Sequence, residues 1–317
     1  CKTMKVLVVG SGGREHTLVW KISQSPKVEK IYCAPGNAGI GNIAQLVNIK
    51  VEEIELLLAF ALEKNIDLTV VGPEVPLVDG IVDRFEEEGL RVFGPNKACA
   101  QLEGSKAFAK EFMIRHDIPT AKYKEYTDAQ EAIKDIGIYG FPMVIKADGL
   151  AAGKGVIIAQ SKGEAHEALS MIMKDKKFGD AGSKVVIEEF LEGIEASVLC
   201  FVDGDTIVPM VSAQDYKKAF DGDEGPNTGG MGTYSPSVIY TDDIKEKAHN
   251  EILKPFVQGL KSDGLNFKGI IFIGLMIKDG ELRVLEFNTR FGDPETQVVL
   301  SRLETDIVEI FESIIEG

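Results

Sequence analysis

Apolar and polar positions follow two periods along this chain, and their alternation predicts its architecture. Met4–Gly10 (MKVLVVG) is a short apolar run ending in glycine, as in a parallel strand buried on both faces. A helical pattern with Leu18, Trp20 and Ile22 follows. Then come a strand at 30–34, a helix at 51–64, a strand at Leu68–Val71, a helix reaching about residue 88, and a strand at 91–93. Strands alternating with helices predict a doubly wound parallel sheet. Its strand-end loops at Gly10, Ala34 and Gly72 should line one crevice.

The pattern then changes. Residues 96–116 read as an amphipathic helix broken at Gly104-Ser105-Lys106 and stopped before Pro119. A domain boundary is expected near Glu103, giving residues 1–103 and 104–317, with 122–190 as a smaller lobe. Within the second part the pattern predicts strands at 121–126, 141–146, Val156–Ala159 and 184–188, with helices at 129–135 and 164–173. A hairpin at 196–202 and 206–211 turns at Asp203-Gly204-Asp205. After a long loop at 214–236 come a helix at 242–260, a hairpin at 269–277 and 282–287, and a last helix at 305–315.

Composition narrows the class. With 317 residues, 44% hydrophobic and 27% charged, the chain suits a soluble protein of two or three domains. No apolar run reaches the length of a membrane helix. The start, Cys1-Lys2-Thr3-Met4, reads as a short extension before Met4 and not as a signal peptide. Cys1, Cys33, Cys99 and Cys200 are scattered, and the four histidines form no metal-spaced cluster. This argues against zinc and a disulfide framework and favours a cytoplasmic protein. The net charge of −15, without a basic stripe, argues against nucleic acid. Basic residues stand singly beside glycines, which suits small phosphorylated ligands.

Five stretches carry candidate chemistry. Gly10-Ser11-Gly12-Gly13-Arg14 opens a helix after a strand, placing free amides where a phosphate can sit. Glu15 holds the third glycine position of a dinucleotide fingerprint, and no acid ends the next strand, so that reading is poor. The loop Gly149-Leu150-Ala151-Ala152-Gly153-Lys154-Gly155 fails the Walker A pattern: Gly155 replaces the Ser or Thr, and a strand follows. It reads instead as a flap whose amides cover phosphates. Glu188-Glu189-Phe190-Leu191-Glu192 suits a hinge whose backbone reads an adenine edge. Finally, Glu286 and Asn288 share one face of an extended chain, with Leu285 and Phe287 turned into apolar packing. A carboxylate beside an amide oxygen suits Mg²⁺, and Arg290 suits a phosphate or carboxylate. The long loop adds Lys217, Lys218 and Gly229-Gly230-Met231-Gly232, and loops of that length are usually functional or disordered.

In this order and spacing the pieces resemble an ATP-grasp ligase. Gly-Ser-Gly-Gly-Arg-Glu-His, Gly-Pro-Glu-Val-Pro-Leu and Gly-Pro-Asn-Thr-Gly-Gly-Met-Gly are similar to the phosphoribosylamine–glycine ligase family within that class. The resemblance covers the chain from Met4. It implies a ligase that joins glycine to 5-phosphoribosylamine, using ATP with Mg²⁺ or Mn²⁺. Lys106 and Lys146 would contact ATP phosphates, under a flap holding Gly153 and Gly155. Glu188 would accept from the adenine amino group, the backbone at Phe190 and Leu191 would read the ring edge, and Glu195 would hold the ribose. Glu286 and Asn288 would bind the metal. Lys217, Arg290 and Asp293 would face the transferring phosphate and the substrates, together with Asp215, Pro73 and Glu74. The phosphate of phosphoribosylamine would sit near Gly12, Gly13 and Arg14. Many ATP-grasp enzymes carry another acidic ligand on the preceding strand, which here has none. The family also normally continues with a C-terminal domain, expected to be absent from this chain. Two rivals stay open: another ATP-grasp carboxylate–amine ligase or carboxylase, and a non-catalytic ATP-binding module.

Overall fold

The computed structural model describes residues 3–150, 155–174, 182–210, 214–215, 218–220, 224–227, 233–234 and 241–317, excluding the side chains of 211–240. Its first part runs β1 (Met4–Gly10), α1 (Gly13–Ser23), β2 (Val28–Pro35), β3 (Gln45–Leu46), α2 (Ile54–Glu63), β4 (Leu68–Val71), α3 (Glu74–Val78), α4 (Ile81–Glu87) and β5 (Val92–Phe93). The five strands pair in parallel in the order β3-β2-β1-β4-β5. The expected helix ending near residue 88 is two helices, because Gly80 takes φ +93° between them.

Each face of this sheet has its own core. Leu7 and Val9 pack with Leu57, Leu77, Ile81 and Phe85 of the helices on one side. Val6 and Val8 pack on the other side with Leu18 and Ile22 of α1 and with distant parts of the chain, including Leu199, Phe272, Phe291, Val308 and Phe311. The Phe93 and Phe311 rings lie 4.1 Å apart. The cover over the second face therefore comes largely from beyond residue 190. Trp20, placed by its spacing in a helical pattern, is 39% exposed, while Leu18, Val19 and Ile22 make the buried stripe.

The chain continues through α5 (Lys97–Gly104) and α6 (Lys106–Arg115). The smaller lobe follows, with β6 (Tyr123–Tyr126), α7 (Ala129–Lys134), β7 (Met143–Ala147), β8 (Val156–Ala159), α8 (Lys162–Leu169) and β9 (Val185–Glu189). Its antiparallel sheet has the order β6-β9-β7-β8, with α7 and α8 packed on Ile145, Val185 and Ile187.

The larger lobe begins with β10 (Ile194–Asp203) and β11 (Ile207–Pro209). Short strands β12 (Gln214–Asp215), β13 (Lys218–Phe220), β14 (Glu224–Asn227) and β15 (Thr233–Tyr234) pair within the stretch expected to be one long loop. Helices α9 (Asp242–Ala248) and α10 (Lys254–Ser262) are joined through a π-helical turn, His249–Leu253. Strands β16 (Lys268–Lys278) and β17 (Glu281–Asn288) form the last hairpin. Its turn uses positive φ at Asp279 and Gly280, as Asp-Gly hairpin turns do. Two helices close the chain: α11 (Glu295–Ser301), which the sequence pattern did not suggest, and α12 (Ile307–Glu316).

The sheet order β11-β10-β16-β17 is antiparallel. One face, with Val198, Ile273, Val284 and Phe287, packs on Phe112 of α6 and Phe256 of α10, their rings 5.7 Å apart. The opposite face is divided. Leu199, Phe201, Ile270 and Phe272 at one end join the core shared with the first sheet. Glu195, Ser197, Gly274, Glu286 and Asn288 stand towards the other end, in rows set by Ser197↔Gly274↔Glu286 and Phe272↔Asn288. The sheet thus serves as core wall and as site floor.

Candidate active site

A break between two helices starts the site. Ser105 is extended, ends α5 and caps α6, its hydroxyl accepting from Phe108 N at 3.1 Å. The Asp148 carboxylate, at the root of the glycine flap, accepts from Ser105 Oγ at 3.1 Å and Ala107 N at 2.8 Å. Lys106 Nζ then donates to Gly149 O at 3.1 Å. Burial holds the Lys106 ammonium below the ordinary lysine range, with Lys146 adding repulsion against the pull of Glu286.

Glu188, on β9, lies between two lysines from different elements. Its Oε2 is 2.8 Å from Lys146 Nζ of β7, and its Oε1 is 2.7 Å from Lys110 Nζ of α6. All three side chains are buried. Burial pushes the Glu188 carboxyl up, but the two ammonium groups outweigh it and hold the group below the usual range. Burial likewise pulls Lys146 down, yet Glu188 and Glu286 keep it above its ordinary value. Lys110 falls to about 8 because burial exceeds the attraction of Glu188.

The floor departs from strict alternation. The β16–β17 register shifts between Gly274↔Glu286 and Leu275↔Val284, leaving Leu285 as an extra residue. Val284 and Phe287 enter the same core, three positions apart. Leu285 therefore does not turn into that core with Phe287, as period-two reading expects: it lines the cleft, and its carbonyl accepts from Lys146 Nζ at 3.3 Å. Glu286 and Asn288 do share the site face. Directly opposite Glu286, where an acid on the preceding strand would stand, is Gly274.

The loop after β17 ties the floor to the first domain. Arg290 lies 3.4 Å from Glu74 and 3.5 Å from Glu103, and its Nη2 reaches Asn288 Oδ1 at 3.5 Å. Burial lowers and Glu103 and Glu74 raise the guanidinium pKa, for a net rise. Glu103 is buried at the end of α5 and accepts from Thr289 N at 2.8 Å; burial moves its pKa up.

Beyond this loop lies the glycine turn. Arg14 is engaged with Glu15 Oε1 at 3.2 Å and Phe291 O at 3.1 Å, so in this state its guanidinium bolts the first domain to the loop. The buried Glu15 packs against Gly10 and Gly72; a Cβ on either would meet its side chain within 2.6 Å. Asp293 accepts from Gln297 Nε2 at 2.9 Å, beside Gly12 and Gly13.

One cavity of about 160 Å³ joins these groups. Its lining includes Glu74, Glu103, Lys106, Lys110, Lys146, Gly155, Glu188, Leu285, Glu286, Asn288 and Arg290. Glu195, on the same floor, raises the pKa of Lys146 through its charge. Phe190 is exposed and Leu191 buried on the hinge beside Glu188; neither lines the cavity, nor does Pro73. Gly12, Gly13, Arg14 and Asp293 lie outside it, on the first-domain side. Gly153, Lys217 and the Gly229–Gly232 glycines lie outside the described residues, as does the Asp215 side chain. A larger, mostly apolar cavity of about 590 Å³ lies near α12, without convergent lysines, and is not the candidate site.

Among the described residues no three His, Cys, Asp or Glu side chains are placed together to hold a metal. Glu286 and Asn288 nonetheless fit a hard cation that keeps water and phosphate oxygens as its other ligands. Lys110, Glu103 and Asp148 were missed from sequence. Lys110 alone had a signal: it lies four residues after Lys106, on the same helix face.

Paired lysines and a carboxylate–amide pair converging between two antiparallel sheets, with Gly155 beside them, define the ATP-grasp class. Family models agree. The phosphoribosylglycinamide synthetase N domain matches residues 4–103, and the phosphoribosylglycinamide synthetase ATP-grasp (A) domain matches 104–296. Phosphoribosylamine–glycine ligase from Caldanaerobacter subterraneus subsp. tengcongensis is 54% identical over 99% of this chain and 75% of its own length. The ligase of that name from Halalkalibacterium halodurans is 55% identical over 99% and 73%. The chain thus spans about three quarters of the length of these relatives. A crystal structure of phosphoribosylamine–glycine ligase from Thermotoga maritima superposes with a TM-score of 0.84 at 35% identity, over 99% of this chain and 75% of that one. The biotin carboxylase domain of Hydrogenobacter thermophilus 2-oxoglutarate carboxylase shares the fold, at TM-score 0.78 and 18% identity, over 100% and 70%. The chain belongs to the phosphoribosylglycinamide synthetase family.

Proposed function

We propose that this chain is an ATP-dependent carboxylate–amine ligase that joins glycine to 5-phosphoribosylamine, giving glycinamide ribonucleotide, ADP and phosphate for purine synthesis in the cytoplasm. One observation carries the reading: Lys106, Lys146, Glu188, Glu286 and Asn288 converge on one cleft in a chain more than half identical to ligases of that name.

A glycine carboxylate oxygen attacks the γ-phosphorus of ATP in line, and the bond to the bridging oxygen breaks, releasing ADP. The amine nitrogen of phosphoribosylamine then attacks the acyl carbon of glycyl phosphate. Phosphate leaves, and the nitrogen gives its proton to solvent or to that phosphate. Such transfers need positioning and charge neutralisation more than covalent help. Lys106 and Lys146 supply positive charge at the phosphates. Glu188 accepts from the adenine amino group, the backbone at Phe190 and Leu191 meets the ring edge, and Glu195 holds the ribose. Gly153 and Gly155 belong to the flap that excludes water from the acyl phosphate. Glu286 and Asn288 would hold Mg²⁺ or Mn²⁺, which when bound neutralises phosphate charge. Lys217, Arg290 and Asp293 face the transferring phosphate and the substrates, with Asp215, Pro73 and Glu74. Gly12, Gly13 and Arg14 face the phosphate of phosphoribosylamine. Arg14 and Arg290 are occupied by carboxylates, so either reaches a ligand only by exchanging those partners.

The test is ADP release with glycine and freshly made phosphoribosylamine, added separately and together. Turnover only with both is expected. Release driven by bicarbonate with biotin, or by D-alanine, would overturn the assignment.

A further inference from the structure

Lys110 has no part in the reaction above, yet it is the most enclosed lysine among the described residues, at 3% exposure. Its Nζ lies 2.7 Å from Glu188 Oε1 and donates to Thr120 Oγ1 at 2.7 Å. The Thr120 hydroxyl donates to Val284 O at 2.7 Å, and Val284 N donates to Pro119 O at 2.8 Å. Lys110 is therefore fixed to the strand just before the bulge. Lys146 makes the parallel link at the bulge residue itself, from Glu188 Oε2 to Leu285 O.

The two links differ in freedom. Both lysines line the cleft with Lys106, Glu286 and Arg290, but Lys146 is the more exposed side chain, at 11% against 3%. A polyphosphate entering there competes with Glu188 for Lys146. Once Lys146 turns to phosphate, a carboxylate as buried as Glu188 needs another cation to stay ionised. Lys110 can supply it, since no part of its own hydrogen bonding depends on Lys146.

We propose that Lys110 is a positioning residue: it keeps Glu188 ionised and aimed at the nucleobase while Lys146 is released to the phosphates, and so sets the preference for a 6-amino over a 6-oxo purine. This rests on the reading of Glu188 as acceptor for the adenine amino group. A carboxylate facing a 6-oxo group meets a second acceptor and is repelled, whereas a protonated carboxyl can donate to it.

The experiment compares binding of ADP and IDP to wild type, Lys110→Met and Lys110→Arg by calorimetry, without glycine or phosphoribosylamine. In Lys110→Met the ADP-over-IDP preference is expected to fall by about tenfold or more, the worth of a charged hydrogen bond. Arginine should restore much of it. In turnover, KM for ATP should rise while kcat stays within about threefold. A folded Lys110→Met protein with the wild-type preference overturns the proposal. Should methionine prevent folding, Thr120→Val keeps the charge but removes its anchor and is scored by the same ratio; an unchanged ratio there also overturns it. Because the ratio needs neither co-substrate, it fails separately from the ligase assignment, which ADP release scores.

Discussion

Replacing Glu188 by Gln tests the buried charge cluster most directly. The variant keeps the volume and one acceptor oxygen but leaves Lys110 and Lys146, each within 2.8 Å of the lost carboxylate, without their shared counter-ion. Removing one partner of a buried ion pair costs about 3–5 kcal/mol. The loss has a ceiling, because a buried lysine can shed its proton. Holding a lysine neutral at pH 7 costs about 4–5 kcal/mol relative to its unperturbed pKa, and Lys110 already lies at about 8. The pH dependence follows. In the variant the Lys110 pKa drops further, so between neutral pH and the ordinary lysine range the unfolded chain binds more protons than the folded one. Stability of the variant then rises with pH through that window. In the wild type, Lys146 is held above its ordinary value, so its contribution is present below that value and is lost as pH rises past it. The deficit should be greatest near neutrality: the Lys110 part closes by about pH 8, its value in the wild type, and the Lys146 part only as pH passes the ordinary lysine value. Urea unfolding followed by circular dichroism across that range measures it. A deficit under about 1 kcal/mol at neutral pH, the scale of an exposed ion pair, would refute the buried-pair argument. So would a deficit that does not narrow.

Other changes probe separate parts of the site. Glu286→Ala should lower kcat for ADP release by about 10²–10³, roughly 3–4 kcal/mol, and near-normal turnover would remove the metal role from this side chain. Glu195→Ala should raise KM for ATP with little change in kcat; an unchanged ATP response would end its assignment to the ribose. Gly72→Ala places a Cβ 2.6 Å from Glu15 Cγ, displacing the carboxylate that accepts from Gly12 N and pairs with Arg14. A loss of about 1–3 kcal/mol in unfolding free energy is expected, and wild-type stability would show that Glu15 repacks freely.

Period and punctuation carried most of the architecture. The strand bounds Met4–Gly10, Leu68–Val71 and Val156–Ala159 came from apolar runs stopped by glycine or polar residues, and the structure has the same bounds. The break at Gly104-Ser105-Lys106 was legible from its glycine; that Ser105 caps the second helix emerged from the structure. Where period failed, a non-local contact was responsible. The bulge at Leu285 leaves no mark in the sequence, since pairing with β16 creates it. Helix α11 was hidden behind a motif whose charged residues read as loop.

Legible along the chain were the residue types available: a strand end with Glu286 and Asn288, lysines beside glycines, and a hinge beginning with Glu188. These are local properties, set by backbone preference and side-chain chemistry over a few positions. How the charges share partners came from three-dimensional packing, and packing alone. It put Lys110 and Lys146 on one carboxylate, clamped Arg290 between Glu74 and Glu103, and closed the first sheet with a helix some 200 residues away. The reason is physical: the strength of a buried charge depends on what excludes water from it, and that enclosure is assembled from segments far apart in the chain.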